Sequence, residues 1–172
     1  MFEIKNTDYP PLDTERMNLR ILTLENSKEV FIHFSDKDVT RFMDIEPCKG
    51  IYEAEEIIKF HTEDSGCRWG MYDNSNNKFI GTIGFHYLRK NENYIAEVGF
   101  DLAEEYWGKG FMSEAMKEVI FFGFTKMGLD TIDATVEPAN ERSLHLMKRL
   151  GFKEYEELKD DLVYFYFEKN DL

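Results

Sequence analysis

Between Arg16 and Leu22 the chain alternates with a period of two. Met17, Leu19 and Ile21 are separated by Asn18 and Arg20, which predicts a half-buried strand. Thr23-Leu24-Glu25-Asn26 then offers polar groups for a helix start, and Val30, Phe31 and Phe34 supply the apolar positions of a helix running toward Phe34. A second helix is predicted from Tyr52 to about Thr62, with Ala54, Ile57, Ile58 and His61 on one face. From Arg68 the chain reads as strands. Trp69 to Tyr72 and Phe79 to Leu88 flank the polar turn Asp73-Asn74-Ser75-Asn76-Asn77, and Arg89 to Asn93 separates them from a third strand, Tyr94 to Leu102. Three consecutive antiparallel strands follow from this order.

After Leu102 the period changes. Met112, Ala115, Met116, Val119, Ile120, Gly123 and Met127 recur at helical spacing, Gly128 fits a helix C-terminus, and Thr131 to Val136 alternates again as a strand. A strand-helix-strand crossover implies that Ile95–Leu102 and Thr131–Val136 pair in parallel. Gly99 marks either a bulge that opens this pair or a close packing contact. One more helix is predicted from Asn140 or Glu141 to Leu150, with Asn140 as its N-cap and Gly151 at its end, followed by strands around Tyr155 and Leu162 to Phe167.

The turn that joins strand to long helix is Glu105-Tyr106-Trp107-Gly108-Lys109-Gly110-Phe111-Met112-Ser113-Glu114-Ala115. The first turn of a helix presents N–H groups with no partner inside the helix, and the helix dipole adds partial positive charge there. Glycines at 108 and 110 let the backbone approach a bulky anion, so Trp107, Gly108, Lys109, Gly110, Phe111, Met112 and Ser113 form a candidate phosphate or pyrophosphate cradle, with a plain loop as the alternative. Phe111-Met112 stands where a Walker loop needs Lys-Ser/Thr, and Ser113 where a dinucleotide fold needs its third glycine. The cradle that remains requires no metal.

The 172 residues suit one domain, 1–172, and 42% hydrophobic content suffices for a core. Met1-Phe2-Glu3-Ile4-Lys5 shows no leader pattern and no run approaches a membrane span, so a soluble, cytoplasmic protein without membrane partners is expected. Cys48 and Cys67 stand as ordinary reduced thiols. His33, His61, His86 and His145 make no metal-ligand spacing, so no metal is expected. A net charge of -13 disfavours nucleic acid and favours cationic acceptors, solubility being the plainer account of the same charge.

Glu105-x-x-Gly108-x-Gly110, read as Glu-Tyr-Trp-Gly-Lys-Gly, resembles the acetyl-coenzyme A loop of the GNAT superfamily of N-acetyltransferases, in the form used by the subfamily that acetylates ribosomal-protein N-termini. The opening Gln/Arg of the superfamily pattern is replaced by Glu105. Asn140-Glu141-Arg142-Ser143-Leu144 and Leu150-Gly151-Phe152 resemble a second motif of that subfamily, and Thr14-Glu15-Arg16 to Leu22, with Asp38 to Met43, its N-terminal block. The resemblance implies an α+β fold: a mixed, mostly antiparallel central sheet with one splayed parallel strand pair, flanked by helices.

It further implies acetyl-coenzyme A as co-substrate, with pantetheine inserting at the splayed pair against the backbone of Phe100 and Leu102. Asn140 then contacts the pantetheine or adenine side, or serves only as a cap. The acceptor is an amine, either a protein N-terminus or a small molecule, bordered by the segment from Phe34 to Tyr52. Phe42, Met43 and Tyr52 are candidate lining residues there, with core packing as their alternative. Glu97 is the candidate base and Ser143 the candidate acid, since no Tyr stands at the usual helix position. The alternatives are a strand carboxylate for Glu97 and a helix-start hydroxyl for Ser143. An enzyme that acetylates amines and a module that only holds acetyl-coenzyme A are both compatible with this reading, as is a homodimer.

Overall fold

The computed structural model describes residues 9–172, so the opening Met1 to Lys5 lies outside the described residues. Eight strands form one sheet: β1 Leu12–Asp13, β2 Met17–Ile21, β3 Cys67–Asp73, β4 Lys78–Lys90, β5 Tyr94–Leu102, β6 Thr131–Val136, β7 Lys153–Glu154 and β8 Val163–Glu168. Their spatial order is β1-β2-β3-β4-β5-β6-β8-β7, and every neighbouring pair is antiparallel except β5 with β6. The helices are α1 Ser27–Phe34, α2 Lys37–Thr40, α3 Ile51–Glu63, α4 Phe111–Phe122 and α5 Glu141–Arg149. This is the mixed α+β sheet with one parallel pair that the sequence predicts.

The alternation along each strand sorts two faces. Cys67, Trp69 and Met71 of β3 and Ala96 and Val98 of β5 pack with Ala115, Met116 and Val119 of α4 in the main core. A smaller cluster, including Val30, Phe34, Ala54 and Ile58, lies between α1 and α3 and reaches the sheet through Leu22 and Phe79. On this second face the sheet is polar. Asp101 of β5 meets His33 of α1, and His86 of β4 stacks on His61 of α3.

Several elements differ from expectation. Strand β4 continues through Arg89 and Lys90, which pair with Ile95 and Tyr94, because a bulge between His86 and Arg89 absorbs the extra residues with Tyr87 at φ 48°. Gly99 is therefore no bulge but a close contact: it sits opposite Gly84, and an added Cβ would lie 2.4 Å from His86 Nε2 and 2.8 Å from Arg68 Nη1. The long helix gives way to a π turn over Gly123–Met127 before Gly128 ends it at φ 74°. Strand β1 and helix α2 are too short to register as periodicity. The latter is held by Asp36, whose carboxylate accepts from Asp38 N–H at 2.8 Å.

The parallel pair is short. Ile95, Ala96 and Glu97 pair with Thr131, Ile132 and Asp133, and there the two strands part. Asp130 N–H donates to the Tyr94 carbonyl and Ala103 N–H to the Ile80 carbonyl, both at 2.8 Å. Because main-chain groups alternate sides along a strand, the even-numbered residues of β5 turn theirs toward β6 and the odd-numbered ones toward β4. Beyond Glu97, Val98 and Phe100 thus present backbone groups to a gap with no described strand beside them.

Candidate active site

A cavity of about 1160 Å³ runs through this gap and across the polar face of the sheet. At one end it is walled by Gly108, Gly110, Phe111, Met112 and Ser113 of the glycine turn, with Lys117, Arg142 and Arg149 adding positive charge. Gly108 and Gly110 hold φ of 70° and 82°, a left-handed conformation that residues with a Cβ rarely adopt. Gly110 is the N-cap of α4 and no side chain caps that end, so the first-turn N–H groups stay available to an anion.

The turn is anchored from a distant part of the chain. Glu114 Oε1 accepts from Thr14 Oγ1 at 2.6 Å and from Arg16 N–H at 2.7 Å, while its Oε2 accepts from Arg16 Nε at 2.7 Å. Arg16 also donates to the Lys109 carbonyl at 3.0 Å and lies over the Phe111 ring. Burial by itself would raise the Glu114 carboxyl, but the bonds from Thr14 and Arg16 outweigh it and hold the group below its usual value. Replacing Arg16 by Ala is expected to loosen the turn and weaken coenzyme A binding by about 3- to 10-fold, the equivalent of one lost hydrogen bond, without changing kcat. Calorimetry with coenzyme A beside initial rates at saturation checks this.

The predicted cofactor residues fall around the cavity with two refinements. Phe100 keeps its open backbone, whereas the Leu102 carbonyl already accepts from Trp107 Nε1 at 2.8 Å. The Lys109 side chain departs from expectation. It folds back to the Glu105 carbonyl at 2.6 Å, its own carbonyl accepts from Arg16, and the residue is not part of the cavity wall. The Trp107 ring carries Arg142 stacked 3.3 Å above its centroid. Ser113 accepts from Arg149 at 2.9 Å, which ties α4 to α5 across the gap.

On the α5 side, Asn140 acts as a cap: its Oδ1 accepts from Ser143 N–H at 3.2 Å, and both residues also line the cavity. The capping role read for Asn140 is thus present in the structure. Toward the other end the wall is built by Phe34, Phe42, Met43, Ile57 and Phe60, joined by Asp38, Asp44 and Glu56. Tyr52 does not take part. It sits in the first turn of α3 with 69% of its surface exposed, because Ala54 and Ile58 define the buried face and Tyr52 falls on the outer flank.

Glu97 stands on the cavity wall at the last rung of the parallel pair. Its carboxyl is raised above the ordinary value, first by burial and then by the nearby Asp133 charge, with Arg89 and Lys159 pulling the other way. Asp133 is buried. Its Oδ2 accepts from Arg89 Nη2 at 2.6 Å and from the Tyr164 hydroxyl at 2.7 Å.

The floor beside Glu97 holds a second polar cluster that single-sequence patterning misses. Asp101 accepts from His33 Nε2 at 2.6 Å, Arg68 Nη2 at 3.0 Å, and Thr82 Oγ1 and N–H at 2.6 and 3.0 Å. Burial opposes its charge, but His33, then Arg68 and Thr82, hold its carboxyl below the usual range. A depressed carboxyl contributes stability in full above its unfolded value of about 3.9, and that contribution is lost as pH falls through the folded value. Asp101→Asn is expected to cost on the order of 2 kcal/mol at neutral pH, with wild-type and variant melting curves converging in acid. Burial, and then the Arg68 charge, also push the His61 and His86 rings down to about 3, so both are neutral at physiological pH.

The open strand pair, the uncapped glycine turn with three cations along its wall, and a carboxylate at the fork accommodate a long thioester carrier with an anionic end. The chain belongs to the acetyltransferase (GNAT) domain family, whose model matches residues 16–153. It is an acyltransferase that uses acetyl-coenzyme A as co-substrate. It is 36% identical over 162 residues to an N-acetyltransferase of Bacillus licheniformis named p20, covering 88% of this chain and 90% of that protein. Over 107 residues it is 29% identical to the ribosomal protein uS5-alanine N-acetyltransferase of Escherichia coli (strain K12), covering 62% of this chain and 55% of that enzyme. The fold superposes with a TM-score of 0.79 at 21% identity on spermidine N-acetyltransferase from Vibrio cholerae in complex with CoA and spermine, covering 91% of this chain and 97% of that one. No helix among the described residues is long and apolar enough to cross a membrane.

Proposed function

We propose that this acetyltransferase transfers the acetyl group to the primary amine of a protein N-terminus, in the manner of the ribosomal-protein subfamily, with Glu97 as base and Ser143 as acid. The observation that carries the roles is the position of Glu97: a half-buried carboxylate with a raised proton affinity, at the fork where the strands part. An acceptor ammonium entering beneath α1 and α3 meets Glu97, which removes its proton. The free amine then attacks the thioester carbonyl, the tetrahedral intermediate collapses, and the departing thiolate takes a proton on the α5 side, where Ser143 lines the cavity. The backbone of Val98 and Phe100 would hold pantetheine, and the turn from Trp107 to Ser113, with Asn140 across the gap, would hold the rest of the carrier.

A small polyamine is the second reading, favoured by Asp38, Asp44 and Glu56 along the acceptor wall, which suit additional positive charges on the acceptor. The two readings part in a panel of N-terminal peptides and polyamines, scored by thiol release from acetyl-coenzyme A. Peptide turnover at least tenfold above polyamine turnover supports the first, and the reverse order supports the second. Tight coenzyme A binding with no turnover anywhere in the panel would identify a non-catalytic binding module.

A further inference from the structure

Asp133 is only 2% exposed, and its two carboxylate oxygens are treated differently. Oδ2 receives both available donors, Arg89 from β4 and Tyr164 from β8, whereas Oδ1 is buried with no partner among the described residues. An unpartnered buried carboxylate oxygen is costly, so its retention calls for a reason. Across the parallel pair Asp133 is the register partner of Glu97, one strand spacing of about 4.8 Å away on the same face of the sheet.

We propose that Asp133 is a positioning residue for proton transfer at Glu97: its Oδ1 accepts the carboxyl O–H that Glu97 gains on deprotonating the acceptor ammonium. The inference rests on Glu97 being the base. The step balances as R–NH₃⁺ plus the Glu97 carboxylate giving R–NH₂ plus the Glu97 carboxylic acid, and that new O–H donates to Oδ1. Arg89 and Tyr164 pin Oδ2, which fixes the direction in which Oδ1 waits. The charge of Asp133 makes ionised Glu97 a stronger base, and the oxygen satisfies the protonated form that results.

The groups facing Glu97 come from four elements. His86 and Arg89 belong to β4, Asp133 to β6, Lys159 to the segment before β8, and Tyr164 to β8, with His61 of α3 stacked on His86. His61 and His86 stay neutral across the working range, so Asp133 and Arg89 are the opposing charges to vary.

The test is kcat against pH, by thiol release with one saturating acceptor, in the full chain. Asp133→Asn keeps an acceptor for Arg89 and Tyr164 but removes the charge and is expected to move the acid limb down by about one pH unit, while plateau kcat drops about 5-fold and acceptor KM holds. Arg89→Gln is expected to move the same limb up, since it removes a charge that lowers Glu97. In a Glu97→Gln background, Asp133→Asn should reduce kcat no further. An acid limb unmoved in both single variants, with only the melting temperature reduced, makes Asp133 a structural anchor and overturns the proposal. Should Asp133→Asn fail to fold, Tyr164→Phe decides, since it releases Oδ2 of Asp133 without removing a charge: a pH profile and plateau kcat equal to wild type overturn the proposal. A wild-type rate and profile in Glu97→Gln overturns the base assignment itself, whereas an impaired Glu97→Gln beside an unmoved limb in Asp133→Asn overturns only the role of Asp133.

Discussion

Glu97→Gln is expected to lower kcat roughly 10²-fold near neutral pH, because the acceptor arrives as an ammonium and the variant has no carboxylate at the fork to take its proton. Gln is close to Glu in shape, so the strand and its pairing with Asp133 persist. The loss should shrink as pH rises, since free amine then forms without help. Ser143→Ala follows a different course. The thiol of coenzyme A has a pKa near that of free cysteine, roughly 8.5, so a missing acid is costly at neutral pH, matters little above that value, and leaves acceptor affinity unchanged. Because holding two substrates together supplies much of the acceleration, neither variant should be inert. Turnover against pH for wild type and both variants separates the two roles.

The second large effect is expected at Gly110→Val. The residue holds φ 82° as the N-cap of α4, and a β-branched side chain in that region costs on the order of 1–2 kcal/mol. The new Cβ would stand 3.4 Å from Arg16 Nη2, an ordinary van der Waals contact with the side chain that anchors the turn, so the strain comes from the positive φ. Relief requires the turn to move away from the position in which its N–H groups converge. Coenzyme A affinity should fall at least about tenfold, whereas the protein stays folded because the strain is confined to an exposed turn. Gly108, at φ 70°, has nothing within 4 Å of an added Cβ and lies outside the helix cap, so its variant carries a similar φ penalty without disturbing the first turn of α4. Calorimetry on the two variants ranks them. Unchanged affinity in a folded Gly110→Val protein would place the phosphate site elsewhere.

What the sequence discloses about this molecule follows the range of the interactions involved. The glycine turn, the crossover helix and the Asn140 cap are local, so residue type and spacing suffice to find them, and the parallel pairing of β5 with β6 follows from the strand-helix-strand crossover that joins them. Side-chain direction is another matter. Whether Glu97 faces solvent or a cavity depends on the register of three strands, which the bulge at Tyr87 alters without a sequence signature of its own. The Asp101 cluster gathers residues from α1, β3, β4 and β5, and the Arg16–Glu114 anchor joins positions 98 apart. One signal was available: Glu97 and Asp101 share parity along β5, so two acids lie on one strand face, and such a face must supply partners. Lys109 and Tyr52 show the opposite limit, since a motif or a helical segment names a neighbourhood but not which way a long side chain turns.

The most direct test of the account is the stoichiometry of the reaction. Purified protein with acetyl-coenzyme A and the best acceptor of the peptide and polyamine panel should release one thiol for each acetylated amine, and omission of the acceptor should leave thiol release near background. Thiol release that is independent of the acceptor, or acceptor left unmodified while acetyl-coenzyme A stays bound and intact, would contradict it.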